Sequence, residues 1–274
     1  MILGSDTIDW SGVWTFFLAL VRISGLLTTL PGIGTDQVPV TYRLSISVVF
    51  ALAVAMSGYH APIIEGLIMG AFVILMEYML GYIMGMIPQF IIAALSVAGQ
   101  AAASTMGIAQ ASLIDPSIGV SVSVLAKLQS LIATVLFLLV DGHHLIFRAA
   151  TGVSHNLALG EFVFTDSVTT FMIEKFSSTF EFGILVTSPI LVAILVTQFL
   201  LGLVTRFVPQ INVFIISLPL TIGIGLYITA FTLSELSEHL TQQYLSFEED
   251  AVSIFKLGLA KENYSPTPQG STPP

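Results

Sequence analysis

The chain has 274 residues, 55% of them hydrophobic and only 9% charged, with a mean hydropathy of +0.93. Soluble domains carry roughly a quarter charged residues, so composition excludes an ordinary water-soluble globule and fits an all-α, polytopic membrane protein. A net charge of -9 with only eight Lys+Arg leaves no basic stripe for nucleic acid, and the lack of cysteine excludes disulfides and thiolate chemistry.

The first residues, Met1 to Trp10, are acidic rather than basic before the apolar run. A cleavable signal peptide wants a cationic start, so Trp14 to Leu30 is expected as a retained helix. It contains Arg22, which needs a counter-ion or a wet environment inside a membrane. Pro31-Gly32 ends it, and a polar link from Gly34 to Arg43 follows. Leu44 to Met56 is a second segment, short against the ~20 residues that span a bilayer core.

A third segment runs from Pro62 to Met86 and carries Glu65 and Glu77, with Pro88 after it. Glu65 suits the first turn of a helix, where the dipole favours a carboxylate. Glu77 leaves two readings open, a proton or ion path and a partner within a protein core. Gly66-x-x-x-Gly70 and Gly81-x-x-x-Gly85 have the spacing of close helix packing. Met69, Met76, Met79, Met84 and Met86 read first as core filler, and second as an adaptable seal.

From Gln89 to Ala111 small residues dominate, as in Ala98-Gly-Gln-Ala-Ala-Ala-Ser104. Such a stretch belongs inside protein or along a cavity. Met106, Gly107, Ala109, Ala111 and Ser112 have little bulk to anchor them, apart from Met106, and Pro116 disfavours helix at Asp115. An irregular loop is expected over about 106–119.

Val122 to Val140 is the next apolar helix, ending at Asp141-Gly142-His143-His144. Adjacent histidines on a helix point about 100° apart, so no metal site is expected there, and Gly142 is expected to break the helix. His155 to Thr170 reads as a connection between halves. Phe182 to Phe207 and Val213 to Leu233 are the last long helices. Leu233, Leu236, Leu240, Tyr244 and Phe247 then mark an amphipathic tail helix. The Pro-rich run from Ser265 to Pro274 reads as disordered.

Arg43, Lys127, Arg148 and Arg206 lie at helix ends with no clustered loop, so charge assigns no orientation. No Gly-x-Ser-x-Gly elbow or phosphate-binding loop occurs, and neither an enzyme nor a cofactor is expected.

Between the last two long helices lies Arg206-Phe-Val-Pro209-Gln210-Ile-Asn212-Val-Phe-Ile-Ile-Ser-Leu-Pro219-Leu220. Arg206 suits the end of an incoming helix. Pro209 lacks a donor, Gln210 and Asn212 offer side-chain hydrogen bonds to helix ends, and Pro219 interrupts the outgoing helix. The run reads as a hairpin tip with a kinked second arm. It also resembles the signature of the FliR-type subunits of the bacterial flagellar export gate, whose relatives belong to type III secretion. Val21 to Gly25, Gly107 to Pro116 and Gly142 to His144 support the likeness, which covers about Trp14 to Leu245. Thr221 departs from it, because the family often has a basic residue soon after the Pro-Leu pair.

The resemblance implies a subunit that helps form and plug a channel for unfolded protein substrates in the bacterial inner membrane, partly raised into the periplasmic basal-body core. It implies FliP-like, FliQ-like and FlhB-like partners besides membrane lipid. Residues 1–155 would then be a FliP-like half, with Met106, Gly107, Ala109, Ala111, Ser112, Asp115 and Pro116 in the pore plug. Residues 156–247 would be a FliQ-like hairpin and 248–274 a tail. Arg22 becomes a buried structural contact. Small-residue faces and intramembrane charge independently ask for protein neighbours, hence a hetero-oligomer. The competing reading is an ion-coupled secondary transporter using Glu77 and the Pro-broken helices.

Overall fold

A computed structural model describes residues 10–34, 38–58, 60–64, 66–107, 124–151, 158–208, 210 and 213–259. Among these the regular structure is eight α-helices: α1 Trp10–Thr29, α2 Val40–Met56, α3 Leu67–Thr105, α4 Val124–Leu139, α5 Gly142–Thr151, α6 Asp166–Phe207, α7 Val213–Leu245 and α8 Phe247–Gly258. One isolated antiparallel bridge joins Phe162 to Leu259. Four stretches are long and apolar enough to cross a membrane: Trp10–Thr29, Leu67–Thr105, Asp166–Phe207 and Ile216–Gly258. Helices α4 and α5, bent by 62° at Asp141, make a fifth if counted as one span. The protein is thus an all-α, polytopic membrane protein.

Helix α3 is the spine, flanked by α1, α4 and α6. It corrects the expected division at Pro88, because one helix of 39 residues runs through that proline. Pro88 removes a rung of the ladder, but it is buried with Ile87 and Ile91 in the main core, so packing on both sides holds the helix together. The start of α3 also shifts. Residues 60–64 are not helical: the Thr15 hydroxyl accepts from the Ala61 amide at 2.8 Å, and the Trp14 indole donates to the Pro62 carbonyl at 3.1 Å. Glu65 lies outside the described residues.

Small residues set the approach of α1 to α3. A Cβ at Gly81 would overlap the Arg22 carbonyl, and one at Gly25 the Tyr78 carbonyl. At Gly85 it would meet Thr29 and the Leu26 carbonyl. The Gly81–Gly85 pair is therefore a true packing motif. Gly66 and Gly70 are not: Gly66 starts the helix at φ 102°, with open space around it, and Gly70 meets only the Trp14 ring at 3.7 Å. Of the methionine group, Met84 is fully buried core while Met69 is exposed.

The last helices are longer than expected. Helix α6 begins at Asp166 rather than near Phe182, with Thr165 as its cap: the hydroxyl accepts from the Val168 amide. Helix α7 continues through Pro219 to Leu245, so the amphipathic segment is its second half. Helix α8 folds back rather than trailing away. Phe247, Ala251, Ile254 and Phe255 are buried, and Lys175 of α6 holds Asp250 at 2.7 Å. Tyr244 donates to the Ala133 carbonyl at 3.0 Å and meets Phe137 and Phe247 edge-on or tilted, which ties α4, α7 and α8 together. The Pro-rich end lies outside the described residues.

Candidate functional site

Two residues that sequence reading treated separately meet in the core. Arg22 of α1 and Glu77 of α3 are both fully buried. The guanidinium donates through Nε to Oε2 at 2.5 Å and through Nη2 to Oε1 at 3.0 Å. This two-point geometry suits a planar fork on a carboxylate. The rest of the guanidinium reaches the carbonyls of Ala150 and Ala158, at 3.4 and 3.0 Å. The Gly160 amide donates to Glu77 Oε1 at 2.7 Å, and the Phe255 ring lies 5.9 Å from Arg22 Cζ. One ion pair thereby gathers α1, α3, the end of α5, the link before α6, and α8. Of the two readings left open for Glu77, the core partner is the one realised.

A second constellation surrounds the end of α3, where the chain enters the segment of the expected plug. Gln198 of α6 donates to the Thr105 carbonyl at 2.7 Å, and Thr221 of α7 to the Met106 carbonyl at 2.8 Å. Carbonyls at a helix end lack intrahelical donors, and here two other helices supply them. Thr221 is buried and shares its hydroxyl with the Ser217 carbonyl at 2.8 Å. The departure from the family pattern at this position is thus a helix-end contact. Sequence reading missed both caps, although Gln198 stands out as an amide within an apolar helix.

The Met106 side chain is buried with Ala102, Ala103, Leu125, Ile190 and Ile194, and would collide with a Cβ at Gly225. Within this chain it anchors the end of α3 in a core. Gly107 follows at φ 84°, a left-handed conformation that glycine takes without strain. Ala109, Ala111, Ser112, Asp115 and Pro116 lie outside the described residues. So do Pro209 and Asn212 at the hairpin tip, where Gln210 and Arg206 are exposed. Pro219 sits within α7.

The turn between α4 and α5 departs from expectation in two ways. Asp141, at φ 58°, makes the break, and Gly142 instead opens the next helix, at a position where a Cβ would strike the Phe137 ring. The His143 and His144 rings do not diverge. Their centroids are 4.1 Å apart, and His144 Nδ1 lies 3.3 Å from Asp141 Oδ1.

Comparison with known proteins bears on the whole of this arrangement. Residues 13–247 match the family described as bacterial export proteins, family 1. The chain belongs to this family. It is similar to flagellar biosynthetic protein FliR of Escherichia coli (strain K12), 25% identical over 247 residues, covering 88% of this chain and 94% of that protein. It is also similar to the FliR proteins of Bacillus subtilis (strain 168), 28% identical over 218 residues, with 77% and 82% covered, and of Caulobacter vibrioides, 27% identical over 241 residues, with 85% and 93% covered. The FliR-type resemblance read from the hairpin signature therefore extends over the chain. The matched span takes in both the buried ion pair and the α3 end, and stops at the first residue of α8.

Proposed function

We propose that this chain is a core subunit of the bacterial flagellar type III protein export gate. It helps to form and close the channel through which unfolded substrates cross the inner membrane, and contributes no catalysis. Its neighbours are FliP-like, FliQ-like and FlhB-like subunits, beside which it stands partly raised into the periplasmic basal-body core. Residues 1–155 act as the FliP-like half and 156–247 as the FliQ-like hairpin.

The observation that carries this reading, beyond family membership, is the uneven coverage of the apolar helices. In the most apolar windows the chain buries 44% of residues in α1 and 39% in α3, but only 17% in α6 and 11% in the run from Ile216 to Gly258. Phe199, Phe207, Tyr227 and Phe231 are all largely exposed. The first half carries its own core, while the hairpin presents apolar sides for other helices to cover. We assign the plug to the segment that follows Gly107; Met106 and the two capped carbonyls fix the point where the chain enters it.

The transporter reading needs Glu77 as a free acid. Both of its oxygens are engaged by Arg22 and the Gly160 amide, which leaves the carboxylate no such role.

Co-expression with the FliP-like and FliQ-like subunits, followed by native mass spectrometry in detergent, tests the proposal. A hetero-oligomer containing this chain as a minority subunit is expected, along with loss of flagellar export when its gene is removed. A homo-oligomer that reconstitutes ion flux by itself would overturn it.

A further inference from the structure

The turn at Asp141 gathers three donor groups that the export reading does not use. One ligand atom each from Asp141, His143 and His144 lies within 4.8 Å of the others. The 3.3 Å between Asp141 Oδ1 and His144 Nδ1 is close to the ~3.4 Å edge of a tetrahedron with arms of ~2.05 Å, the usual zinc–nitrogen and zinc–oxygen lengths. Asp141 and His144 are exposed and free to swing the remaining distance. A separate observation concerns His143. Its Nδ1 is buried and has no hydrogen-bond partner among the described residues. A buried polar atom in that state is destabilising. Two imidazolium rings 4.1 Å apart would repel, whereas two neutral imidazoles can share one cation.

We propose that Asp141, His143 and His144 form a binding site for a divalent late first-row metal ion of the zinc class. Two imidazoles and one carboxylate suit Zn2+ or Co2+ better than Mg2+ or Ca2+, and water fills the remaining coordination. On one side the Phe137 ring lies 6.5 Å from His143. Because Asp141 stands at the break and both histidines in the first turn of α5, a bound ion staples the 62° elbow. That elbow bears on the Phe137–Tyr244–Phe247 cluster, so its stiffness reaches α7 and α8.

The test is calorimetric titration of tag-free, chelator-stripped full-length protein with Zn2+, paired with the visible d–d spectrum of bound Co2+. One ion per chain is expected. Affinity should fall about tenfold or more, the scale on which disturbing a metal site acts, in His144→Ala and in Asp141→Asn. His60→Ala and His239→Ala should bind as the parent does. Both ligand changes are at exposed positions, so unchanged helical circular dichroism is expected alongside the lost Co2+ band. Absence of stoichiometric binding by the parent protein would overturn the proposal. So would full affinity and an intact Co2+ band in His144→Ala.

Discussion

Arg22 and Glu77, 55 residues apart in the chain, form a fully buried two-point ion pair whose remaining hydrogen bonds tie the end of α5 and the link before α6 to it. Desolvating two charges is expensive, and their attraction offsets this only where geometry is good and the other donors are satisfied. Both conditions hold here. The pair is best understood as a register device for the first half of the molecule.

Removing one partner should therefore be far worse than removing both. Glu77→Leu alone leaves a buried guanidinium and is expected to cost about 3–5 kcal/mol. The double change Arg22→Met with Glu77→Leu should recover most of that loss. Thermal unfolding of the detergent-solubilised protein, arranged as a double-mutant cycle, checks this. A double variant destabilised by the sum of the losses in the two single variants, Arg22→Met and Glu77→Leu, would show that the pair carries no coupling.

Gly81→Ala should separate α1 from α3, because the new methyl falls on the Arg22 carbonyl, a backbone atom that cannot turn aside. Overpacking of this kind costs about 1–3 kcal/mol. Gly202→Ala, with open space around it, should be neutral or stabilising by up to ~1 kcal/mol through helix propensity. Melting temperatures of the two variants should therefore move in different directions, and a similar shift in both would argue against close contact at Gly81.

Thr221→Val keeps the shape of the side chain and removes its donor. Loss of the bond to the Met106 carbonyl should cost about 1 kcal/mol, while Thr221→Ser should stay close to the parent. Amide hydrogen exchange in the last turn of α3 is the sensitive readout. Faster exchange is expected in the valine variant only.

Deletion of Gly107 to Ser112 tests the plug. Assembly with partner subunits should persist, since Met106 and its contacts remain in place. The membrane should then leak ions or small solutes, measured as conductance of bilayers carrying the assembled complex. A complex that assembles normally and stays as tight as the parent would remove the plug role from this segment.

Composition was enough to indicate an all-α membrane protein, because long apolar blocks have few other solutions in lipid, while the FliR type came from the resemblance carried by the Pro-Gln-x-Asn run. The positions of α1 and α4 followed from hydropathy alone. Hydropathy could not show that α3 runs through Pro88, or that α6 begins at Asp166. A buried proline is held by neighbours distant in sequence, and the polar first turns of α6 owe their order to Thr165 and to Lys175 meeting Asp250. The functional residues divide in the same way. Arg22 and Glu77 each stood out as intramembrane charges, but only the close approach of α1 to α3 at Gly25, Gly81 and Gly85 makes them partners. Adjacent histidines are expected to diverge on a regular helix, yet their rings lie 4.1 Å apart, and the left-handed turn at Asp141 sets a carboxylate beside His144. Local pattern determines which segments leave water, whereas pairing of buried polar groups depends on helix approach, a property of the packed chain.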